Sequence, residues 1–140
     1  MSHLPVNHPL RPFYRVLAVA AGIYIFAFGV VGLIEAGGTP WFDRGETFAL
    51  GLRTNLAFAV ASIVTGAVIL FAVLIGRNLD YWVNLLGGAV FLVAGTAMLT
   101  VINTDLNVLN FAIETVMVSF VIGMVLLSAG LYSRSAQATA

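Results

Sequence analysis

Residues 54–76 read TNLAFAVASIVTGAVILFAVLIG, a run of 23 residues that holds no Asp, Glu, Lys or Arg. A helix that crosses the hydrocarbon core of a bilayer needs about 20 predominantly apolar residues, since each residue rises about 1.5 Å through about 30 Å. The stretch from Ala67 to Ile75 is apolar on every side, whereas a helix of a soluble bundle carries polar residues on its solvent face. The run therefore predicts a transmembrane helix.

Three further windows lack charged residues, namely 16–34, 81–104 and 115–133. Of the 140 residues 61% are apolar and 9% charged, where a soluble domain carries about 25% charged residues. The prediction is a single all-α domain, an integral membrane four-helix bundle that runs up-down-up-down. Its spans are expected at about residues 14–35, 54–76, 81–102 and 110–132, with short tails at 1–12 and 133–140.

The arginines predict the orientation of the bundle. With four spans, both termini and the turn after the second span, residues 76–80, share one side. That side carries one acid, Asp80, and four of the six arginines: Arg11, Arg15, Arg77 and Arg134. An excess of basic residues in short segments near the span ends marks the cytoplasmic side. We therefore expect both termini in the cytoplasm and the chain as a multi-pass protein of the bacterial inner membrane. The tight turn also predicts that the second and third helices pack as an antiparallel hairpin.

Small residues recur at helical spacing in all four spans. Without a strong hydrophobic drive between helices in lipid, close backbone approach at Gly, Ala and Ser supplies the packing. These residues predict helix contacts within the bundle or, as the alternative, between copies of the chain. Their equal spacing in the two halves also suggests a parallel internal repeat. The residues are Gly22, Gly29, Ser62 and Gly66 in the first half, and Gly88, Gly95, Ser119 and Gly123 in the second.

Glu114 is the most suggestive single residue at the predicted outer face. A carboxylate near the membrane interface is costly unless it is paired or hydrated, and Arg53 opens the second span on the same side. We predict a polar pair of Arg53 and Glu114 that holds the second helix against the fourth. The alternative makes Glu114 a proton or cation ligand, with oxygen donors from Asn55, Asn103, Asn107 and Asn110.

The sequence offers little chemistry beyond that pair. It has no cysteine, its two histidines, His3 and His8, lie in the N-terminal tail, and its net charge is zero. Asn84 and Thr96 are polar residues inside the third span, without a visible site around them. No catalytic residue, cofactor or metal site is predicted, no nucleic-acid partner is implied, and the expectation is a protein that is not an enzyme.

Two segments resemble a known family. Residues 50–55, LGLRTN, lead into the helix around Gly66, and residues 106–111, LNVLNF, lead into the helix around Gly123. Together they are similar to a family of small four-helix membrane proteins, found mainly in actinobacteria and known only as a domain of unknown function. Members often carry a histidine four residues before the helix glycine, where this chain has Ser62 and Ser119. The resemblance implies the four-span topology and no reaction.

The function expected from these features is a structural or accessory role in the membrane. Packing residues are abundant, so the chain is expected to self-associate as a homo-oligomer or to join a larger membrane complex, with the lipid bilayer as its surroundings. One alternative is a small transporter or channel subunit with a polar outer vestibule around Glu114 and Arg53. A second is a membrane enzyme that acts on lipid or quinone at the outer face.

Overall fold

The computed structural model describes residues 9–134 and contains four helices in that part of the chain. They are α1 (Arg11–Glu35), α2 (Leu56–Ile75), α3 (Leu79–Val101) and α4 (Ile113–Leu131). A two-stranded antiparallel hairpin, β1 (Thr47–Ala49) and β2 (Leu52–Thr54), lies between α1 and α2. The predicted all-α architecture is confirmed, and each helix is long and apolar enough to cross a membrane. His3 and His8 lie outside the described residues.

The helix ends follow local sequence signals. The Asn55 side chain accepts a hydrogen bond from Phe58 N at 2.9 Å and caps the start of α2. Gly76, with φ of +68°, ends that helix, and α3 begins three residues later. We call the end of the bundle that holds Arg11, Gly76 and Tyr132 the terminal end. The opposite end, which holds the β-hairpin, is the hairpin end.

The four helices form two closely packed pairs. The most extensive contacts join α1 to α2 and α3 to α4, while α1 against α4 and α2 against α3 make smaller interfaces. The tight turn after Gly76 joins α2 to α3 as predicted, but these two helices share one of the smaller interfaces. Close approach instead follows the glycines, which face the partner within each pair.

The two pairs repeat the same contacts. A Cβ added to Gly66 would lie 2.7 Å from Phe26 N, so α1 and α2 touch there through backbone. A Cβ added to Gly123, the equivalent position of α4, would lie 2.9 Å from the Leu92 side chain. The suggested internal repeat thus has a structural counterpart. Equivalent contacts join Gly22 with Leu70 and Gly88 with Leu127, and Gly29 with Ile63 and Gly95 with Phe120.

Several polar side chains lie inside the bundle, and many large apolar ones lie on its outer surface. Asp80 and Asn84 are fully buried, whereas Ile34, Leu74 and Val93 are 72%, 79% and 70% exposed. A soluble bundle distributes its residues the opposite way, because exposed apolar surface is costly in water. This distribution agrees with four helices suited to an apolar surrounding.

The β-hairpin lies in the connection between α1 and α2, where the all-α prediction included no strand. Residues 46–52 alternate Phe48, Leu50 and Leu52 with small residues, and such alternation is typical of a strand. Leu50 and Gly51 have φ of +49° and +83°, which gives the two-residue turn between the strands. Ala49 and Leu52 are buried against Phe28, so the hairpin closes the bundle at this end.

Candidate functional site

A buried carboxylate lies at the terminal end of the bundle. Asp80 is in the first turn of α3 and is 0% exposed. Arg11 Nη2 and Arg15 Nε each lie 3.7 Å from its Oδ2. The two arginines are four residues apart, which places them on one face of α1. Two positive charges from α1 thus compensate one negative charge on α3.

Each arginine also bonds to the end of another helix. Arg11 Nε donates to the carbonyl of Ser133, just beyond α4, at 2.7 Å. Arg15 Nη2 donates to the carbonyl of Val73, in the last turn of α2, at 2.6 Å. The final carbonyls of a helix have no partner within that helix, so the guanidinium groups satisfy them. The ends of all four helices therefore meet around Asp80.

Among residues 9–134, most of the buried side-chain nitrogen and oxygen atoms that lack a hydrogen-bond partner belong to this region. Neither carboxylate oxygen of Asp80 has a hydrogen-bond partner among residues 9–134, and the same holds for Arg15 Nε. Asn84, one turn further along α3, is 0% exposed, and both polar atoms of its amide lack a protein partner. We call Arg11, Arg15, Asp80 and Asn84 the buried polar cluster.

Aromatic side chains also make contacts at the terminal end. The rings of Tyr14 and Tyr132 stack with their centroids 4.6 Å apart, which joins α1 to the end of α4. The guanidinium of Arg134 lies 5.5 Å from the centre of the buried Tyr81 ring, within the range of a cation–π contact. These contacts help to keep the ends of α1, α3 and α4 together.

Sequence reasoning missed the buried polar cluster. It assigned Asp80 to a turn and treated Asn84 as an isolated polar residue of the third span. The signal was present as two spacings of four residues, Arg11 with Arg15 and Asp80 with Asn84, each of which defines one helix face. The hydroxyl of Thr96 has a hydrogen-bond partner within its own helix, because it donates to the carbonyl of Leu92 at 3.0 Å.

The predicted pair of Arg53 and Glu114 is not formed. Arg53 Nη2 donates to the carbonyl of Phe111 at 3.3 Å, and no ion pair joins this residue to Glu114, although the structure describes both. Glu114 is exposed in the first turn of α4. A carboxylate is favourable there because the amino end of a helix carries partial positive charge. It therefore has no need of an arginine.

The asparagines at the hairpin end hold backbone segments together. Asn55 Nδ2 donates to the carbonyls of Asp43 and Val108, at 3.2 Å and 2.8 Å. Asn110 Nδ2 donates to the carbonyls of Gly45 and Thr54, each at 2.8 Å. In both cases one amide joins the loop before α2 to the loop before α4.

The other two asparagines play different parts. Asn107 donates to the carbonyls of Ile102 and Phe111 and accepts from Phe111 N, so it shapes its own loop. Asn103 is exposed. The four asparagines are therefore not gathered around Glu114 as oxygen ligands, because three of them bind backbone.

All eight small residues that were predicted to mediate helix packing are buried inside the bundle. The tightest contact is at Gly88, where an added Cβ would lie 2.6 Å from Leu127 N and 2.8 Å from the carbonyl oxygen of Gly123. The Ser62 hydroxyl donates to the carbonyl of Phe58 at 2.8 Å, so it needs no other partner.

A cavity of about 240 Å³ lies between the two helix pairs, in the half of the bundle towards the hairpin end. Its wall is mostly apolar and comes from all four helices and β2. Two wall residues are exposed, Ala61 on α2 and Val90 on α3, which places the opening between these helices. Among its other wall residues are Tyr24, Phe28, Phe91, Ala94, Met98 and Val118.

Within residues 9–134 no group of three or more His, Asp or Glu side chains is placed to hold a metal ion. No family model, curated protein or solved structure matches the chain. The resemblance to small actinobacterial membrane proteins therefore stays a prediction. The structural features that bear on function are the buried polar cluster, the cavity and the outer surface.

Proposed function

We propose that the chain is an integral membrane protein with a non-enzymatic, accessory role, which self-associates through the outward face of α3. The observation that carries this proposal is that α3 is the least buried of the four helices in residues 9–134. Of its most apolar 18-residue window 17% is buried, against 39%, 33% and 39% for α1, α2 and α4. Because so little of α3 is buried inside the bundle, this helix has the most surface left for a partner.

The outward face of α3 has the composition of a helix contact in lipid. Among its exposed residues are Ala89, Val93, Thr96, Ala97 and Thr100, which have small or short side chains. The hydroxyl of Thr100 donates to the carbonyl of Ala97 at 2.7 Å, so it is compatible with an apolar surrounding. Small side chains let two backbones approach closely, and this is the main source of helix association in a bilayer.

The distribution of arginines supports both termini in the cytoplasm. Arg11, Arg15, Arg77 and Arg134 all lie at the terminal end, and basic residues near span ends are retained on the cytoplasmic side. With this orientation the buried polar cluster lies near the cytoplasmic surface and the β-hairpin at the outer surface. A fluorescent-protein fusion to the C-terminus, which lights up only in the cytoplasm, tests this orientation.

A role in transport is less well supported. Ile25, Ile69 and Leu126 form one buried apolar cluster in the middle of the bundle. In the chain, Leu126 of α4 lies between Ser119, in the wall of the cavity, and Ser133, which follows α4 and bonds to the buried polar cluster. A permeation path needs polar or hydrated continuity, and this apolar layer interrupts it.

Disulfide crosslinking in native membranes tests the self-association. Because the chain has no cysteine, Val93→Cys introduces a single thiol on the outward face of α3. The matched control is Val121→Cys, since Val121 is exposed to a similar degree, 63% against 70%, but lies on α4. We expect a crosslinked dimer from Val93→Cys and far less from Val121→Cys.

Two results would contradict the proposal. Equal crosslinking of the two cysteine variants would mean random collision in the membrane, and a monomer from Val93→Cys at native expression would leave α3 without a second copy. A crosslink of Val93→Cys to a different protein would overturn self-association and place the chain in a larger complex instead.

A further inference from the structure

We infer that the cavity between the helix pairs is a binding site for one hydrocarbon chain of a membrane phospholipid. This inference rests on the membrane location in the proposed function and not on self-association. The volume is sufficient, because an engineered protein cavity of about 150 Å³ already holds benzene and this one measures about 240 Å³. An extended segment of an acyl chain therefore fits.

The few polar groups in the wall do not call for water. The hydroxyls of Ser62 and Thr65 donate to the carbonyls of Phe58 and Ala61, each at 2.8 Å. The Thr115 hydroxyl accepts from the backbone N of Ala112 at 3.4 Å. The wall also holds the hydroxyls of Tyr24 and Ser119. A water molecule needs about three hydrogen-bonding partners to stay in a protein interior, and these two hydroxyls in an otherwise mostly hydrocarbon wall supply too few.

The position of the opening identifies the occupant. The exposed wall residues are Ala61 and Val90, and the outer surface of α2 beside Ala61 is apolar, with Val64 and Val68 exposed. In a bilayer, the medium at this opening is lipid hydrocarbon. An empty cavity forfeits contacts for every atom that lines it, so a chain that enters gains dispersion contacts without losing hydration.

The cavity also explains why the helix pairs keep a small interface. At the terminal end the buried polar cluster and the turn at Gly76 hold α2 near α3. Towards the hairpin end, small side chains face the space between the pairs, Ala61 on α2 and Ala94 on α3. A lipid chain in that space supplies the packing that the two pairs do not make directly.

Filling the cavity tests the inference. Ala94→Leu places a larger side chain in its wall, and Ala20→Leu is the matched control, because Ala20 is exposed on α1 and does not line the cavity. The proteins are purified in mild detergent, and bound phospholipid is counted per chain by native mass spectrometry. We expect one retained phospholipid for the wild type and the control. For Ala94→Leu we expect roughly tenfold less, since the added carbons replace two or three lipid methylenes.

A second variant guards against misfolding. Ala61→Leu fills the cavity from α2, and both filled variants are expected to melt at a higher temperature than the wild type in lipid-free detergent. Added dioleoyl phosphatidylglycerol or phosphatidylcholine is expected to raise the melting temperature of the wild type more than that of either filled variant.

The outcome that overturns the inference is equal lipid retention and equal stabilisation by lipid in all four proteins, which would mean only a nonspecific lipid annulus. Loss of lipid in the control as well would have the same meaning. If Val93→Cys fails to crosslink while the lipid difference holds, self-association is wrong and the lipid site stands. If the chain does not sediment with membranes, both proposals fall.

Discussion

Arg15 and Asp80 form an ion pair in which a fully buried carboxylate on α3 faces a partly exposed guanidinium on α1, with Nε 3.7 Å from Oδ2. The same arginine donates to the carbonyl of Val73 on α2. One side chain thus connects the first helix pair to the second. Because the two pairs share small interfaces elsewhere, we expect this connection to dominate their assembly.

Asp80→Asn is expected to destabilise the bundle strongly. The change keeps the shape of the side chain but leaves Arg11 and Arg15 without a counter-charge. Removing one partner of a buried ion pair costs about 3–5 kcal/mol, and the low end applies here because both arginines are partly exposed. Reversible unfolding in mixed micelles measures the loss.

Asp105→Asn is the matched control for that experiment. Asp105 is fully exposed and lies 3.3 Å from Arg44, also exposed, in an ion pair at the surface. Exposed pairs contribute little, so no measurable change in the free energy of unfolding is expected. Equal effects of the two substitutions would show that Asp80 does not hold the helix pairs together.

Gly88→Ala is expected to destabilise the protein and Gly87→Ala is not, although the residues are adjacent. A Cβ on Gly88 would lie 2.6 Å from Leu127 N and must push α3 away from α4, while one on Gly87 would meet Leu126 Cδ1 at 3.8 Å. Overpacking at Gly88 should cost about 1–3 kcal/mol.

Alanine at position 87 should instead be neutral or stabilise the helix by up to about 1 kcal/mol, because glycine loses more backbone entropy in a helix. The melting temperatures of the two variants in one detergent measure the difference. A loss of stability at position 87 as large as at position 88 would contradict the close approach of α3 and α4.

Most of the fold could be predicted from the sequence because it depends on local properties. A long run of residues without charge predicts each of the four helices. The helices begin and end within about three residues of the predicted limits. The pairing of helices is different in kind. The Gly76 turn predicted that α2 and α3 pack as an antiparallel hairpin, but it did not predict that each even-numbered helix packs mainly on the preceding one, as the contacts of Gly66 and Gly123 show.

The site was harder to predict because it depends on contacts between distant residues. Charge counting placed Arg11, Arg15 and Asp80 on one side but did not bring Asp80 into the interior. Glu114 was predicted to form an ion pair because an unpaired carboxylate near the membrane interface is energetically costly. Its position in the first turn of α4 instead leaves it exposed. The burial of a side chain depends on how the helices pack against one another, and the hydropathy of the sequence does not reveal this packing.

Arg53 and Glu114 are expected to be energetically independent. Arg53→Gln should cost about 1 kcal/mol through the lost bond to the Phe111 carbonyl, and Glu114→Gln should change stability little. In a double-mutant cycle the coupling should lie within about 0.5 kcal/mol of zero, as for residues without a shared contact. A coupling well above this value would restore the ion pair predicted from the sequence.

Asn55→Ala is expected to loosen the whole hairpin end. The Asn55 side chain caps α2 through Phe58 N and joins the carbonyls of Asp43 and Val108, so one substitution removes three hydrogen bonds. At about 1 kcal/mol for each bond, the loss is about 3 kcal/mol.

Asn103→Ala is the matched control for Asn55→Ala, because Asn103 is exposed. Besides melting, proteolysis at the loops measures the change. With Asp43 and Val108 no longer tied to one amide, both the loop before α2 and the loop before α4 should be cleaved faster in Asn55→Ala, and neither in Asn103→Ala. Faster cleavage of only the first loop would mean that Asn55 acts as a helix cap and does not connect the two halves of the bundle.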